Sequence, residues 1–388
     1  MTAFWVDPVN TDAQFLNMMG LALSAQNPGS IIRSNKRKAF EPPTEIQWEN
    51  FSSLEILPQS ISGSSTRFLF SGLYPYYWMR SIFRLKSEGF SSVLFSTHLK
   101  LPAIDTNALR FLQTLKIKPV VICHRPHPYV YENANRNYAK KYKGFYEAAS
   151  RILVINQFVK NLLKEYFQIE DKKISIFAHP HFNNLLQKYQ KDESLALKLQ
   201  KWSNHQPVIS YISNFSEEHG LSTLLNHLDL VKKKIPDVKF LIVTRISENI
   251  ESSKQSLIES LQKFPFFQKD VFLHFDSYTY PQLLSFFDIT SLVVTPYAWA
   301  AQSGVISMSL GLKKPVVSSN VGGLPKMISQ GECGILIPPK NPQALATACA
   351  TILNPNNYSG FCLGAEQFAT ERLSHKKAID IFLESLES

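Results

Sequence analysis

The sequence predicts an α/β protein of two doubly wound domains, and three observations carry that prediction. Short apolar runs rich in β-branched and aromatic residues recur along the chain. Longer amphipathic segments separate most of them, which is the pattern of parallel strands alternating with helices. One polar stretch near the middle interrupts the alternation. At 388 residues the chain also exceeds one ordinary core, which favours two domains.

In chain order the strand-like runs are "TAFWV", "SSVLFS", "KPVVIC", "RILVIN", "KISIFA", "PVISYI", "KFLIVT", "DVFLHF", "TSLVVTPY" and "KPVVSS". Each is continuously apolar over a few residues, as strands buried on both faces are. The helix-like segments are "DAQFLNMMGLALSA", "NALRFLQTL", "QFVKNLLKEYF", "STLLNHLDLVKKK", "SKQSLIESLQKF" and "YPQLLSFF". The alternation pauses at "QKYQKDESLALKLQKWSNHQ", which places the junction at about Phe182–Pro207. The expected organisation is a Rossmann-like domain over residues 1–182 and a second over 183–365, facing an interdomain cleft. Residues 366–388 form a helix expected to pack back on the first domain. Ligands on such sheets bind beyond the carboxyl ends of the strands.

Apolar residues make up 44% and charged residues 19%, a globular balance. "MTAFWVDPVN" lacks a basic segment followed by an apolar block, and no run approaches the roughly 18 apolar residues that span a bilayer. Cys123, Cys333, Cys349 and Cys362 form no CxxC pair, which suits free thiols in a reducing compartment. A soluble, cytoplasmic chain is expected.

The net charge of +10 is uneven: residues 1–180 hold 22 Lys+Arg against 13 Asp+Glu, and residues 181–388 hold 19 against 18. The basic half is expected to face something anionic. No helix-turn-helix, zinc-finger or RNP pattern accompanies the charge, so nucleic acid is set aside in favour of an anionic membrane surface or a phosphate-bearing acceptor. "RFLFSGLYPYYWMRSIFRLKSEGF" carries Arg80, Arg84 and Lys86 at helical spacing among aromatic residues. With Lys36–Lys38 and "AKKYKGFY" it reads either as a docking face for anionic lipid or as a core helix with a solvated basic edge.

The stretch "YAWAAQSGVISMSLGLKKPVVSSNVGGLP" joins the end of a buried strand to a loop, a helix, a second strand and a Gly-Gly turn. A helix is expected to start near Ser303. The amides of Ser303, Gly304 and Val305 then point out of its N-terminus, where the dipole favours a diphosphate. The Ser303 hydroxyl adds a hydrogen bond in that reading. The alternative is an ordinary Ser N-cap on a buried helix.

"VGGLPKMISQGECGILIPPKNPQALATACATIL" resembles the C-terminal signature of the GT-B retaining glycosyltransferases, family 4 and its relatives. The preceding pieces, "SNFSEEHGLSTLLNHL", "KFLIVT", "DVFLHFDSYTYPQLLSFFDITSLVVTPY" and "QSGVISMSLGLKKPVVSS", follow the same order. "LFSTHLKLP", "KPVVICHRPHP" and "ASRILVINQFVKNLLKEYFQIEDKKISIFAHP" look like the acceptor domain of these enzymes. The resemblance covers roughly Ser91 to Leu353 and implies a nucleotide diphosphate-sugar donor and a sugar acceptor. The family often carries a Glu-x7-Glu motif; here its places fall on Ala300 and Met308. The chain is similar instead to a Gln-Ser-Gly-Val subset, which implies Gln302 at the sugar hydroxyls. The family's Arg and Lys in the loop after the first C-terminal strand are replaced by Asn214 and His219, so Arg245 is the candidate cation, with a solvated surface Arg as the alternative. Phe275 and Tyr278 are expected to border the base.

His124 follows "KPVVIC", where similar enzymes place a His against the donor sugar; the alternative is a loop His satisfied by its neighbours. Arg125, His127 and His98 are expected to line the acceptor side of the cleft, and His179 and His181 to lie at the junction. Asp7, Asp12 and Asp105 are the candidate general bases for an inverting reaction. No cofactor and no metal are expected, because "HRPH" and "HPH" lack supporting Cys or carboxylates. The resulting expectation is a metal-independent hexosyl-type transferase acting on a glycan or lipid-linked saccharide at the cytoplasmic membrane face. Its rival is a catalytically degenerate nucleotide-sugar-binding or partner subunit.

Overall fold

The structure, a computed structural model, describes residues 4–7, 13–34, 42–49, 64–96, 102–126, 136–214, 216–245 and 251–387. It divides into two units, Met1–His179 with His375–Ser388, and Pro180–Ser374.

The first unit holds a seven-stranded parallel sheet: β1 (Phe4–Asp7), β2 (Ile31–Ser34), β3 (Gln47–Glu49), β4 (Ser92–Ser96), β5 (Lys118–Cys123), β6 (Arg151–Val154) and β7 (Ile174–Ile176), in the order β3-β2-β1-β4-β5-β6-β7. β4 to β6 are the runs whose continuous apolar character predicts burial on both faces, and all but their ends are buried. The helix Gln157–Phe167 shows why such segments start and stop where they do. The Asn156 side chain accepts from Val159 N at its beginning, and Gln168 ends it in the left-handed region. Val159, Leu162, Leu163 and Phe167 form its buried stripe.

The helix His375–Glu387 belongs to this unit. Its Phe382 ring meets Trp5 at 6.0 Å and Phe177 at 4.9 Å, both edge-on. The break before it falls at Ser374 rather than at residue 365, because Pro355–Arg372 is one continuous helix capped by Asn354.

The second unit holds a six-stranded parallel sheet: β8 (Val208–Asn214), β9 (Lys239–Arg245), β10 (Val271–His274), β11 (Leu292–Thr295), β12 (Val316–Ser319) and β13 (Gly334–Ile337), in the order β10-β9-β8-β11-β12-β13. The segment "STLLNHLDLVKKK", expected as one helix, is two, Leu221–Leu225 and Leu228–Lys234. The break sits at Asn226–His227, where the His227 ring turns back to the Thr223 carbonyl at 2.8 Å.

Candidate functional site

In the second sheet the chain lays β9 and β10 to one side of β8, and β11 to β13 to the other. The connections leaving the carboxyl ends of β8 and β11 therefore part in opposite directions, and the sheet opens a crevice between them. Two segments flank it, residues 216–220 with a tight turn over Glu217–His219, and the loop 296–303.

These loops are braced by their backbones. Gly220 has φ +66°, and a Cβ there would stand 1.9 Å from the Pro296 carbonyl oxygen, so the approach requires glycine. Ala298 N donates to the Glu218 carbonyl at 2.7 Å. The Tyr297 ring lies 4.7 Å from the His219 ring, and its hydroxyl donates to Ser213 Oγ at 3.2 Å. Burial pushes the Tyr297 phenol above its ordinary pKa, so it stays a neutral donor. The Gly-Gly turn after β12 joins in, with Gly322 at φ +53° and Gly323 N donating to the Ala300 carbonyl at 3.1 Å.

Between these loops begins the helix Gly304–Gly311. Ser303 is extended and its hydroxyl accepts from Ile306 N at 3.3 Å, the ordinary N-cap geometry. Ser307 N reaches the Ser303 carbonyl at 3.4 Å, and Ser303 N points to Met327 Sδ at 3.3 Å. The Ser303 amide and hydroxyl are thus both engaged inside the fold, which corrects the expectation that they face a phosphate. The next two amides differ. Gly304 and Val305 are half-buried, and among the described residues no acceptor stands against their N–H groups. Beside them Gln302 Oε1 is buried with no hydrogen-bond partner among the described residues. Two such amides at a helix start, backed by a dipole worth at most about 2 kcal/mol, have the geometry that suits an anion. Ala300 and Met308, at the places of the family's acids, are 6% and 3% exposed and pack as core.

The neighbouring candidates gather on the same sheet edge. Asn214 ends β8, and strand register pairs it with Arg245 at the end of β9. His219 Nδ1 lies 2.9 Å from the Asn214 carbonyl oxygen, which fixes the proton on Nδ1. Phe275 and Tyr278 follow β10, two strands from β8, a lateral distance of about 10 Å. Lys254 Nζ stands 5.8 Å from the Phe275 ring, and Tyr278 meets Phe286 edge-on at 6.2 Å. His274 sits 5.1 Å from Phe286, and burial lowers its pKa. Among the described residues the buried hydroxyls of Thr244, Thr295 and Ser319, at the carboxyl ends of β9, β11 and β12, have no hydrogen-bond partner. They escape sequence reasoning because Thr and Ser in apolar strands read as filler; their recurrence at strand ends is the signal.

In the first unit the corresponding reversal lies between β1 and β4. Asp7 closes β1 there. Asp12, His98 and His127 lie outside the described residues. His124 directly follows β5 and meets Phe15 edge-on at 4.1 Å; His179 lies 5.2 Å from Phe15 and 6.3 Å from His124. Arg125 is next in the chain and half-buried. His181 belongs to the second unit, where its Nδ1 accepts from Asn183 N at 3.3 Å and burial lowers its pKa. Asp105 is fully buried and accepts from Trp78 Nε1 at 2.9 Å, so it is a packing carboxylate and not a general base. Among the described residues, no group of three or more His, Cys, Asp or Glu is placed to hold a metal ion.

Residues 206–355 match the family model described as glycosyl transferases group 1. The whole chain superposes on sucrose-phosphate synthase from Thermosynechococcus elongatus with a TM-score of 0.75, covering 100% of this chain and 99% of that one at 15% identity. This is a GT-B glycosyltransferase fold. HepE of Anabaena in complex with UDP-glucose shares it, with a TM-score of 0.72 at 15% identity over 100% of this chain and 99% of that one. In sequence the chain is 23% identical over 242 residues to the capsular polysaccharide biosynthesis glycosyltransferase CapM of Staphylococcus aureus, a match over 62% of this chain and 61% of that relative. The GT-B chain therefore spans about three-fifths of the curated relative's length.

Proposed function

We propose that the protein transfers a sugar from a nucleoside diphosphate sugar to a glycan or lipid-linked saccharide. The observation that carries this reading is the pair of free amides at Gly304 and Val305, set at the sheet reversal with Gln302 Oε1 beside them. They suit the leaving diphosphate. As the bond from the anomeric carbon to the diphosphate oxygen breaks, charge grows on that oxygen, and fixed N–H dipoles stabilise it without reorganising. The acceptor hydroxyl forms the new glycosidic bond, and its proton passes to the oxygen of the departing diphosphate. Donor chemistry of this kind is supported by the UDP-glucose complex of HepE, and a glycan acceptor by the relative named for capsular polysaccharide synthesis.

A membrane-facing acceptor is favoured by the helix Ser64–Ser87. Tyr76, Met79 and Phe83 are 61%, 38% and 68% exposed and recur at helical spacing on one face, with Arg80 exposed among them. This stripe lies in the basic half of the chain and fits an anionic lipid surface at the inner face of a membrane. No helix of the described residues is long and apolar enough to cross a membrane.

The core positions of Ala300 and Met308 favour a second reading, a subunit that binds nucleotide sugar without turnover. Incubation with a panel of nucleoside diphosphate sugars, with and without lipid-linked acceptors, separates the two. Acceptor-dependent nucleotide release supports transfer; saturable binding with no release under any pairing supports the second reading.

A further inference from the structure

Arg33 and Ser34 close β2, one strand away from the reversal between β1 and β4. Arg33 is 2% exposed, yet among the described residues it has one hydrogen-bond partner: Nη1 donates to Glu49 Oε2 at 3.0 Å. Among the described residues its Nε and Nη2 are buried with no acceptor, and the Ser34 hydroxyl is likewise buried with no hydrogen-bond partner. The other oxygen of Glu49 accepts from Arg84 Nη2 at 3.2 Å, so this carboxylate is shared between two guanidiniums. Arg84 also pairs with Glu88 at 2.8 Å. Burial lowers the Arg33 pKa, Glu49 opposes that, and the nearby charges of Arg80 and Arg84 lower it further. Around Arg33 three guanidiniums thus face two carboxylates, both already engaged.

A guanidinium keeps its charge under such conditions, and an interior N–H with no acceptor is costly to maintain. The unused side is the edge formed by Nε and Nη2. Its two parallel N–H groups match two oxygens of a phosphate. The neighbouring hydroxyl of Ser34 supplies a third donor. Register places Ser34 beside Asp7, so these donors lie at the carboxyl edge of the sheet. The helix Ser64–Ser87 returns over this region, as the bond from Arg84 to Glu49 requires. Along it Arg80 stands one turn, about 6 Å, from Arg84 on the side that leads to Tyr76 of the exposed stripe.

We propose that the free edge of Arg33, together with the Ser34 hydroxyl, binds a phosphate group on the acceptor, at a site distinct from the diphosphate cradle at Gly304. The assignment to the acceptor rests on the transfer reading above; the phosphate site itself does not. Lipid-borne and soluble phosphates share this chemistry.

The test is a calorimetric titration of the full chain with inorganic phosphate while UDP saturates the donor cradle. The native chain is expected to show one saturable site. Arg33→Lys keeps a charge for Glu49 but loses the fork, and should bind phosphate about tenfold or more weakly, with UDP affinity unchanged. Native phosphate affinity in folded Arg33→Lys overturns the proposal. If Arg33→Lys does not fold, Ser34→Ala decides: an affinity loss of about threefold or more upholds the site, and native affinity overturns it. Absence of UDP binding counts against the donor reading alone, and the phosphate titration is then run without UDP. Glycerol phosphate and phosphatidic acid vesicles in phosphatidylcholine identify the source. Arg33-dependent binding of the first marks a soluble acceptor, of the second a lipid-borne one, and of neither rejects the site.

Discussion

The two sheets share a layout and differ in how their reversal points are furnished. In the second unit the donors are main-chain amides, and the loops around them are locked by backbone contacts: Gly220 against the Pro296 carbonyl, Ala298 N to Glu218, and Gly323 N to Ala300. In the first unit the described chemistry is carried by side chains, with His124 against Phe15 and Arg33 against Glu49. Under the transfer reading proposed above, such amides suit the diphosphate that every nucleoside diphosphate sugar has in common. Side chains can be exchanged singly, so they suit the partner that differs from one enzyme to the next.

The largest expected effect strikes the backbone brace. Gly220→Ala forces a Cβ onto a carbonyl in a left-handed conformation, and should cost about 3 kcal/mol or more of stability. Thermal melting checks it, and a native-like melt would mean the loops are looser than this contact implies. Next, Gly304→Val crowds the free amides; UDP affinity should fall about 10- to 100-fold, a loss of one or two charge-assisted bonds, with the fold intact. Retained affinity would place the diphosphate elsewhere.

On the first unit, Phe83→Ser should weaken flotation with anionic vesicles about tenfold, since burying a Phe contributes about 1.5–3 kcal/mol. Flotation that ignores the substitution, salt and anionic lipid alike removes the docking face. Asp105→Asn should cost about 1 kcal/mol through its bond to Trp78 and leave the pH profile of turnover in place; a displaced profile would return Asp105 to the chemistry. The smallest effect is in pH. His181 and His274 have folded pKa values lowered by burial, so the unfolded chain binds protons more readily. Stability should decline as pH falls below the unfolded value of about 6.5, and His181→Gln should flatten the slope of melting temperature against pH.

Much of the second unit was legible because its signals are local. The helix Gln157–Phe167 of the first unit and the N-cap at Ser303 likewise follow from residues a few positions apart. What escaped depends on distant partners. β2 and β3 are short, and "IIRS" and "QWE" carry polar residues that hide them as strands. Met327, 24 residues from Ser303, takes the Ser303 amide, and nothing in "GLPKM" announces that contact. Asp105 reads in sequence as a candidate general base, and the Trp78 indole that binds it lies 27 residues away. Gly220 carries no signal of its own in "EEHGLS", yet its φ and its closeness to Pro296, 76 positions on, give it a structural task.

The chain enters the second unit at Pro180 and leaves it at Ser374, and His181 N donates to the Leu373 carbonyl at 3.0 Å. Entry and exit are therefore side by side, and the second unit is an insertion within the first. Residues 180–374 should be separable as an independently expressed module, and grafting that module between the same flanks of another host would show whether the proposed donor recognition travels with it.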